Sequence, residues 1–393
     1  MAAPADRKII IDQVRRLVVI PPGAAPEGVI FYCARMLDGM CGALIARLGL
    51  KVSPNVFSNL MSIEAHRLID TIGRELAHTL RRMGNNVRHT LDNASEEDTK
   101  LGMVLVRQLL RWFEGLEPGE EFADALAMLS SRIDPDWNVV ALVDLLARIE
   151  DGEKAAIDAL LVRREEALSS RFLAMLCAES LIACGRAAEA GDLLDRCAQQ
   201  HGTDPRHQQL AALVLSRTNR LDEAVEAAAR LLKKYPNDDE TAGIAGGIYK
   251  RRWDRDNTQA NALKKAHELY YGQWNAEKRR NNAYLGVNAA ATAVYRGDVK
   301  LACEIAAVVV EAMDRRDSAL AKAGLDPQDG GMAEYYDRVS RAEALLISGQ
   351  LDTARSAYAA AFADYPQFGG AIDGTKSQAR RIAAALGVQD VAA

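Results

Sequence analysis

Several protein classes are excluded by what this chain has little of. Aromatic residues fill 6% of its 393 positions, and tryptophan only four of them. Long β-branched runs are missing, so a composition dominated by alanine and leucine favours helix over sheet. The six cysteines, Cys33, Cys41, Cys177, Cys184, Cys197 and Cys303, show no C-x-x-C spacing. They fall among apolar residues at helical spacing, where a thiol behaves as a small hydrophobe. A disulfide framework and a cysteine zinc site are therefore not expected, and with no secretion signal the expected setting is a reducing cytoplasm. No apolar run is read as reaching the roughly 18 residues that a membrane span needs. A P-loop, a nucleophile elbow and a dinucleotide-binding glycine fingerprint are all lacking, so no cofactor is expected. The net charge of −5 argues against whole-chain affinity for nucleic acid or anionic membrane, but leaves room for a local basic patch.

What is present is 49% hydrophobic and 26% charged, an ordinary globular balance with length for two or three domains. A first helix is expected over Arg7 to Val19, after a frayed Met1 to Asp6, and Pro21-Pro22-Gly23 ends it. A second runs from about Pro26 to Leu48. Ser53-Pro54-Asn55 caps a long third helix, Val56 to Met83, on which Ile69, Ile72, Leu76, Leu80 and Met83 step by three or four. Ser95-Glu96-Glu97-Asp98 is close to a capping box for a helix through Leu101 to Trp112. His66 and His78 share the long helix about 120° out of phase, which is not the spacing of a helical metal pair, and no metal is expected. His78 and Arg82, four apart, extend a polar patch.

The long helix closes on Leu80-Arg81-Arg82-Met83-Gly84-Asn85-Asn86-Val87-Arg88-His89. This run, the polar turn after it and the helix ending in Trp112-Phe113 resemble the DUF4145 group within the HEPN-like helical domains. The resemblance rests on Arg81, Arg82, Gly84, Asn85 and His89 and covers residues 25 to 115. It implies a helical bundle that dimerises and, in the active members, metal-independent cleavage of RNA by an arginine and a histidine, here Arg82 and His89. Seven residues are close to two helical turns, so the pair shares a face if the helix persists past Gly84. Histidine exchanges protons near neutral pH and arginine holds a phosphate. The other reading is structural or binding: Gly84-Asn85 ends the helix in a left-handed turn, with Asn85 bonding local backbone and His89 capping the neighbouring helix, or Arg81 and Asn85 serve as binding residues.

From about Glu121 the chain reads as helical hairpins. Gly185-Arg186-Ala187-Ala188-Glu189-Ala190 recurs 34 residues later as Asn219-Arg220-Leu221-Asp222-Glu223-Ala224. The same turn returns at Gly297 and at Gly349, after spacings of 78 and 52 residues. Tyr235-Pro236 and Tyr365-Pro366 end the second helix in two hairpins, and Asp204-Pro205 plays that part in the first. A glycine in the turn, small residues where two helices cross closely and a proline after the second helix are the tetratricopeptide pattern.

The first widened interval holds Gly247-Ile248-Tyr249-Lys250-Arg251-Arg252-Trp253, a helix ending in Tyr270-Tyr271, and Tyr284-Leu285-Gly286-Val287-Asn288-Ala289-Ala290. This order resembles the TRAFs-binding repeat domain, DUF4071, of stress-activated kinase kinase kinases and bacterial multidomain proteins, and extends over residues 150 to 385. It implies binding, with Lys250, Trp253, Tyr284 and Asn288 as contact residues. The residue types also suit plain packing, with Gly286 at a close crossing and Asn288 bonding backbone. Residues 250 to 280 hold nine basic against four acidic side chains, including the charged turn Lys278-Arg279-Arg280-Asn281. The segment Ala323 to Gly331 reads as a flexible connection, and Thr375 to Leu386 as a solvating end helix before a disordered tail.

The expected architecture is all-α: a HEPN-like bundle over 1–116, connecting helices over 117–150 and a tetratricopeptide-like α-solenoid over 151–393. The expected function is a scaffold or sensor of a bacterial-type signalling or defence system, binding a protein partner on the repeat surface. The alternative is a ribonuclease using Arg82 and His89, with RNA at the N-terminal domain. A homodimer through the N-terminal bundle is expected in either case, and no membrane contact.

Overall fold

Every regular element among the described residues (4–21, 24–89, 94–150, 153–236, 238–276, 280, 282–328 and 330–392) is helical in the computed structural model. The expected all-α class holds. Pro22, Gly23, Lys278, Arg279, Asn281, Asp329 and the junction at residue 151 lie outside the described residues. The chain divides into two units, residues 1–210 with 319–328, and residues 211–318 with 329–393.

In the first unit α1 (Pro4–Val19) starts earlier than the predicted Arg7 and pairs with α2 (Pro26–Arg47). Twelve residues of α2 are buried because it is the central helix of the bundle. By length and composition α2 is apolar enough to cross a membrane, which the sequence reading missed, but here it lies largely inside the core.

The predicted long helix is two helices, α3 (Val56–Ala65) and α4 (Thr71–His89). The apolar spacing through Ile69 hid the break. His66 ends α3, Arg67 is left-handed at φ 57°, and Leu68 and Ile69 are buried by a loop rather than by a helix face. Asp70 Oδ1 then accepts from the Gly73 amide at 2.6 Å, a local stop signal for the loop and start signal for α4. The two histidines therefore lie on different helices; His78 Nε2 meets Glu64 Oε1 at 2.6 Å.

Gly84 does not end α4, which runs on to His89. A Cβ at Gly84 would stand 2.5 Å from the Cβ of Ala34 on α2, so glycine is required where these helices cross. The predicted capping box is present: Ser95 and Asp98 exchange side-chain and backbone bonds at the start of α5 (Glu96–Leu116). Next come α6 (Glu120–Ser130), α7 (Asn138–Glu150), α8 (Lys154–Val162) and the single turn α9 (Arg164–Ala167).

The unit's first hairpin with the repeated turn is α10 (Arg171–Ala183) with α11 (Ala187–His201), and α12 (Pro205–Arg217) begins in this unit. Pro205 starts α12 rather than ending α11, since Asp204 Oδ1 caps the His207 amide at 2.8 Å. Residues 319–328 are not a free connection. Arg47 donates to the carbonyls of Ala323 and Gly324, and the Gln328 amide donates to the Arg67 carbonyl at 2.7 Å.

The second unit takes up α12 and continues with α13 (Leu221–Lys234), α14 (Asp239–Arg255), α15 (Ala260–Asn275), α16 (Ala283–Tyr295), α17 (Val299–Ala323), α18 (Gly331–Ile347), α19 (Leu351–Asp364) and α20 (Gly369–Leu386). The wide interval after Asn219 holds a complete extra hairpin, α14 with α15, turned at Asp256 without a glycine. Along the whole chain the four turn residues Gly185, Asn219, Gly297 and Gly349 are all left-handed, at φ 77°, 64°, 80° and 83°. That conformation explains why the repeated turn admits only glycine or asparagine. Tyr235 and Tyr365, each followed by proline, end their helices with matching backbone angles of about −128° and −127° in φ. The tail is ordered in place: Val391 and Ala392 are buried with Ile382 in the core of this unit.

Candidate functional site

A stack of hairpins buries small apolar residues between neighbours and has no need of ionisable groups inside. The second unit nevertheless gathers several on one side. Lys250, Trp253 and Asp254 stand on the last turns of α14, one helical turn apart, and therefore share a face. The Trp253 ring lies 4.7 Å from that of Tyr295 on α16. Glu343 comes from α18 and is 6% exposed.

The fourth contributor is α20. Gln378 links the others: Lys250 Nζ donates to its Oε1 at 2.9 Å, and its Nε2 donates to both carboxylate oxygens of Glu343, at 2.9 and 2.7 Å. Arg381 Nη1 donates to Asp254 Oδ1 at 2.8 Å, and its guanidinium lies over the Tyr295 ring at 5.9 Å. Burial pushes the Glu343 carboxyl up to about 7, against the Gln378 hydrogen bond and the charges of Lys250 and Arg381.

A linkage follows. Folded Glu343 holds its proton above the ordinary carboxylate range, so its contribution to stability is complete below about pH 4.5 and is lost as pH rises through 7. The loss is about 3 kcal/mol, the worth of holding that proton from the ordinary carboxylate range up to about pH 7. Glu343→Gln is expected to flatten that slope. In thermal melts its Tm relative to wild type should climb between pH 5 and pH 8; a constant offset would refute the assignment.

The other contact residues expected from the sequence are not part of this group. Tyr284 is 58% exposed and meets Tyr270 edge-on at 6.3 Å. Asn288 is buried and donates to the Tyr284 carbonyl one turn back at 2.9 Å, within its own helix. Gly286 marks a close crossing, where a Cβ would stand 2.4 Å from Val309 and 2.7 Å from the Trp274 indole nitrogen.

In the first unit Arg82 and His89 share α4 but point to different surroundings. Arg82 Nη2 donates to Thr79 Oγ1 at 2.9 Å, and its buried Nε and Nη1 find no hydrogen-bond partner. Its charge acts on Glu75 and Glu179. His89 is exposed at the helix end, about 10 Å further along the axis at 1.5 Å per residue. Arg81 lies over the Phe57 ring at 5.0 Å and donates to His78 Nδ1; Asn85 is exposed.

Arg82 borders a largely buried charge cluster. Arg206, on α12, pairs with Glu179 on α10 and lies 3.8 Å from Glu75 on α4, which Arg74 also holds at 2.9 Å. Burial raises Glu179, countered by Arg206 and reinforced by the charge of Glu75. Burial also disfavours charge on Glu75, but Arg74 and Arg206 outweigh it and keep that carboxyl low.

The residues that sequence reasoning missed carry a signal of their own. Ala178-Glu179-Ser180-Leu181-Ile182-Ala183-Cys184-Gly185 and Ala342-Glu343-Ala344-Leu345-Leu346-Ile347-Ser348-Gly349 agree in register, each with a glutamate six residues before the left-handed glycine. A charged residue amid apolar ones at one repeat position marks a carboxyl facing another helix. Glu179 meets α12 and borders α4; Glu343 meets α20.

Comparison with known proteins agrees with this repeat reading. Residues 186–293 match the family model described as Tetratricopeptide Repeats-Sensor, so this segment is a tetratricopeptide-type domain. No curated protein matches the chain. Among solved structures, it is similar to a thermophilic TPR protein of Thermus thermophilus, at 19% identity over 55% of this chain and 99% of that one, with a TM-score of 0.38. It is also similar to human IFIT1 in a dimer with m7Gppp-AAAA, at 12% identity over 92% and 95% with a TM-score of 0.42. A monomeric IFIT1 mutant with Gppp-AAAA gives 12% identity over 97% and 88%, with a TM-score of 0.45.

Proposed function

We propose that the chain is an interaction and sensing protein of a bacterial-type signalling or defence system, receiving a protein partner on the face formed by the first helices of the second unit's hairpins. The observation that carries this reading is the Lys250–Gln378–Glu343 relay. Buried ionisable groups cost stability unless each is satisfied, and hairpin stacking does not require them. Their placement on one face suits recognition of another helix. The match of residues 186–293 to a sensor family supports the same reading. The sequence resemblances to a TRAFs-binding domain and to a HEPN-like bundle add a dimerising N-terminal domain. Cleavage of RNA by Arg82 and His89 would require Arg82 to leave Thr79 and the Glu75–Glu179 side of α4, so binding leads.

The test is site-directed photocrosslinking in cells, with the crosslinker at Trp253 or Tyr284 and a control at the exposed Glu226 of α13, followed by affinity measurement on the purified pair. One protein should be captured from positions 253 and 284 but not from 226, and Lys250→Glu should weaken its binding at least tenfold. Equal capture from all three positions, or unchanged affinity, would overturn the reading.

A further inference from the structure

The last helix of a repeat stack ordinarily covers the end of the final hairpin, because each repeat touches only its neighbours. The packing of α20 is different. It lies against α16 and α18, bonds Tyr335 and Glu343 of α18, and also reaches α14, a hairpin further back, through Lys250 and Asp254. Lys250–Gln378 and Arg381–Asp254 join residues 128 and 127 positions apart. A helix that reaches the first helices of three successive hairpins lies along their common face.

Its sequence suits a removable occupant. Thr375, Gln378, Ala379 and Ile382 recur at helical spacing and form the inward face: Thr375 accepts from Tyr335 Oη at 2.8 Å, Gln378 serves the relay, and Ala379 and Ile382 are fully buried. Ile382 is the one large side chain of α20 that is fully buried, with Ile372 and Leu386 half-buried against the same core. Three exposed glycines, Gly369, Gly370 and Gly374, fall in its first six residues with nothing near their would-be Cβ positions. No close approach demands glycine there, and glycine gives up more backbone freedom than alanine on entering a helix.

From this we infer that α20 is a resident stand-in for a partner helix. The face of α14, α16 and α18 recognises an amphipathic helix with small apolar residues and a glutamine–arginine pair three positions apart, and α20 occupies it in competition. The inference rests on the partner reading above and specifies the partner's chemistry. Glu343 and Asp254 read the amide and the guanidinium, Lys250 reads the amide oxygen, and Tyr295 takes the cation over its ring.

Two measurements on the full chain test it. In hydrogen exchange, amides 371–386 should exchange at least tenfold faster than those of α16 and α18, because α20 opens alone; equal protection would mean that α20 opens only with the whole unit, and would overturn the inference. A labelled peptide of residues 369–392 is then titrated against wild type and against Ile382→Asp. The variant should bind the peptide at least tenfold more tightly than wild type does, and Gln378→Ala with Arg381→Ala in the peptide should abolish that gain. Absence of peptide binding by a variant that keeps the wild-type helical signal would overturn the inference; should Ile382→Asp not fold, the exchange result decides alone. Purified partner that binds through position 253 while leaving the exchange of α20 unchanged would also overturn it, yet leave the partner reading standing.

Discussion

Replacing Arg206 by alanine is expected to cost the first unit about 3–5 kcal/mol, the usual effect of removing one partner from a buried ion cluster. Arg206 is 6% exposed and stands between Glu179 and Glu75, so its loss leaves two carboxyls facing each other across helices. At the scale of a domain near two hundred residues the melting midpoint should fall by roughly 10 °C. The cost should be smaller at pH 5 than at pH 8, because the carboxyls without their cation take up protons readily. Adding Glu179→Met should recover most of the loss, since one buried charge then disappears with the other. A loss below 1 kcal/mol, or none of this pH dependence, would show that the cluster is solvated and not structural.

The second large effect is expected at Gly286. A valine there would drive a Cβ into the space of Val309 Cγ2 and the Trp274 indole, and α16 and α17 cannot part without opening the core around Ala289 and Ala290. The expected loss is ~3 kcal/mol, at the upper end for overpacking. Val309→Ala on the same chain should return part of it, because it removes the nearer obstacle. Additive losses in the two variants would mean that the crossing is set elsewhere. Chemical denaturation with two-state analysis of the second unit's transition measures both.

The readable parts of this molecule are those specified locally. The four turn positions need a left-handed residue, so glycine and asparagine betray them at any spacing. The capping box at Ser95 is likewise a four-residue matter. The break at His66 to Asp70 is hidden because Leu68 and Ile69 preserve the apolar rhythm while serving a loop, and the signal that matters is the cap at Asp70. The hairpin of α14 and α15 reads as an insertion because its turn uses Asp256, whose side chain bonds the Thr258 amide in place of a left-handed glycine.

The polar group of the second unit is half legible. Lys250 and Trp253 stand out by type, but Gln378 and Arg381 belong to a segment that looks like a solvating end helix in isolation. Their importance arises only when chain more than a hundred residues away is brought alongside. Gly84 is conspicuous in the sequence for the wrong reason. It suggests a helix end, whereas its role is to let α4 approach Ala34 of α2.

The buried proton of Glu343 gives the closing of α20 a chemical sign. Covered, the carboxyl holds its proton up to about pH 7; uncovered, it reverts toward an ordinary carboxylate and releases it. The open face is therefore more negative than the closed one, and it draws a cationic helix more strongly when nothing lies on it. A helix that buries Glu343 there favours its protonated form, so near neutrality occupancy of this face is coupled to the acidity of the surroundings.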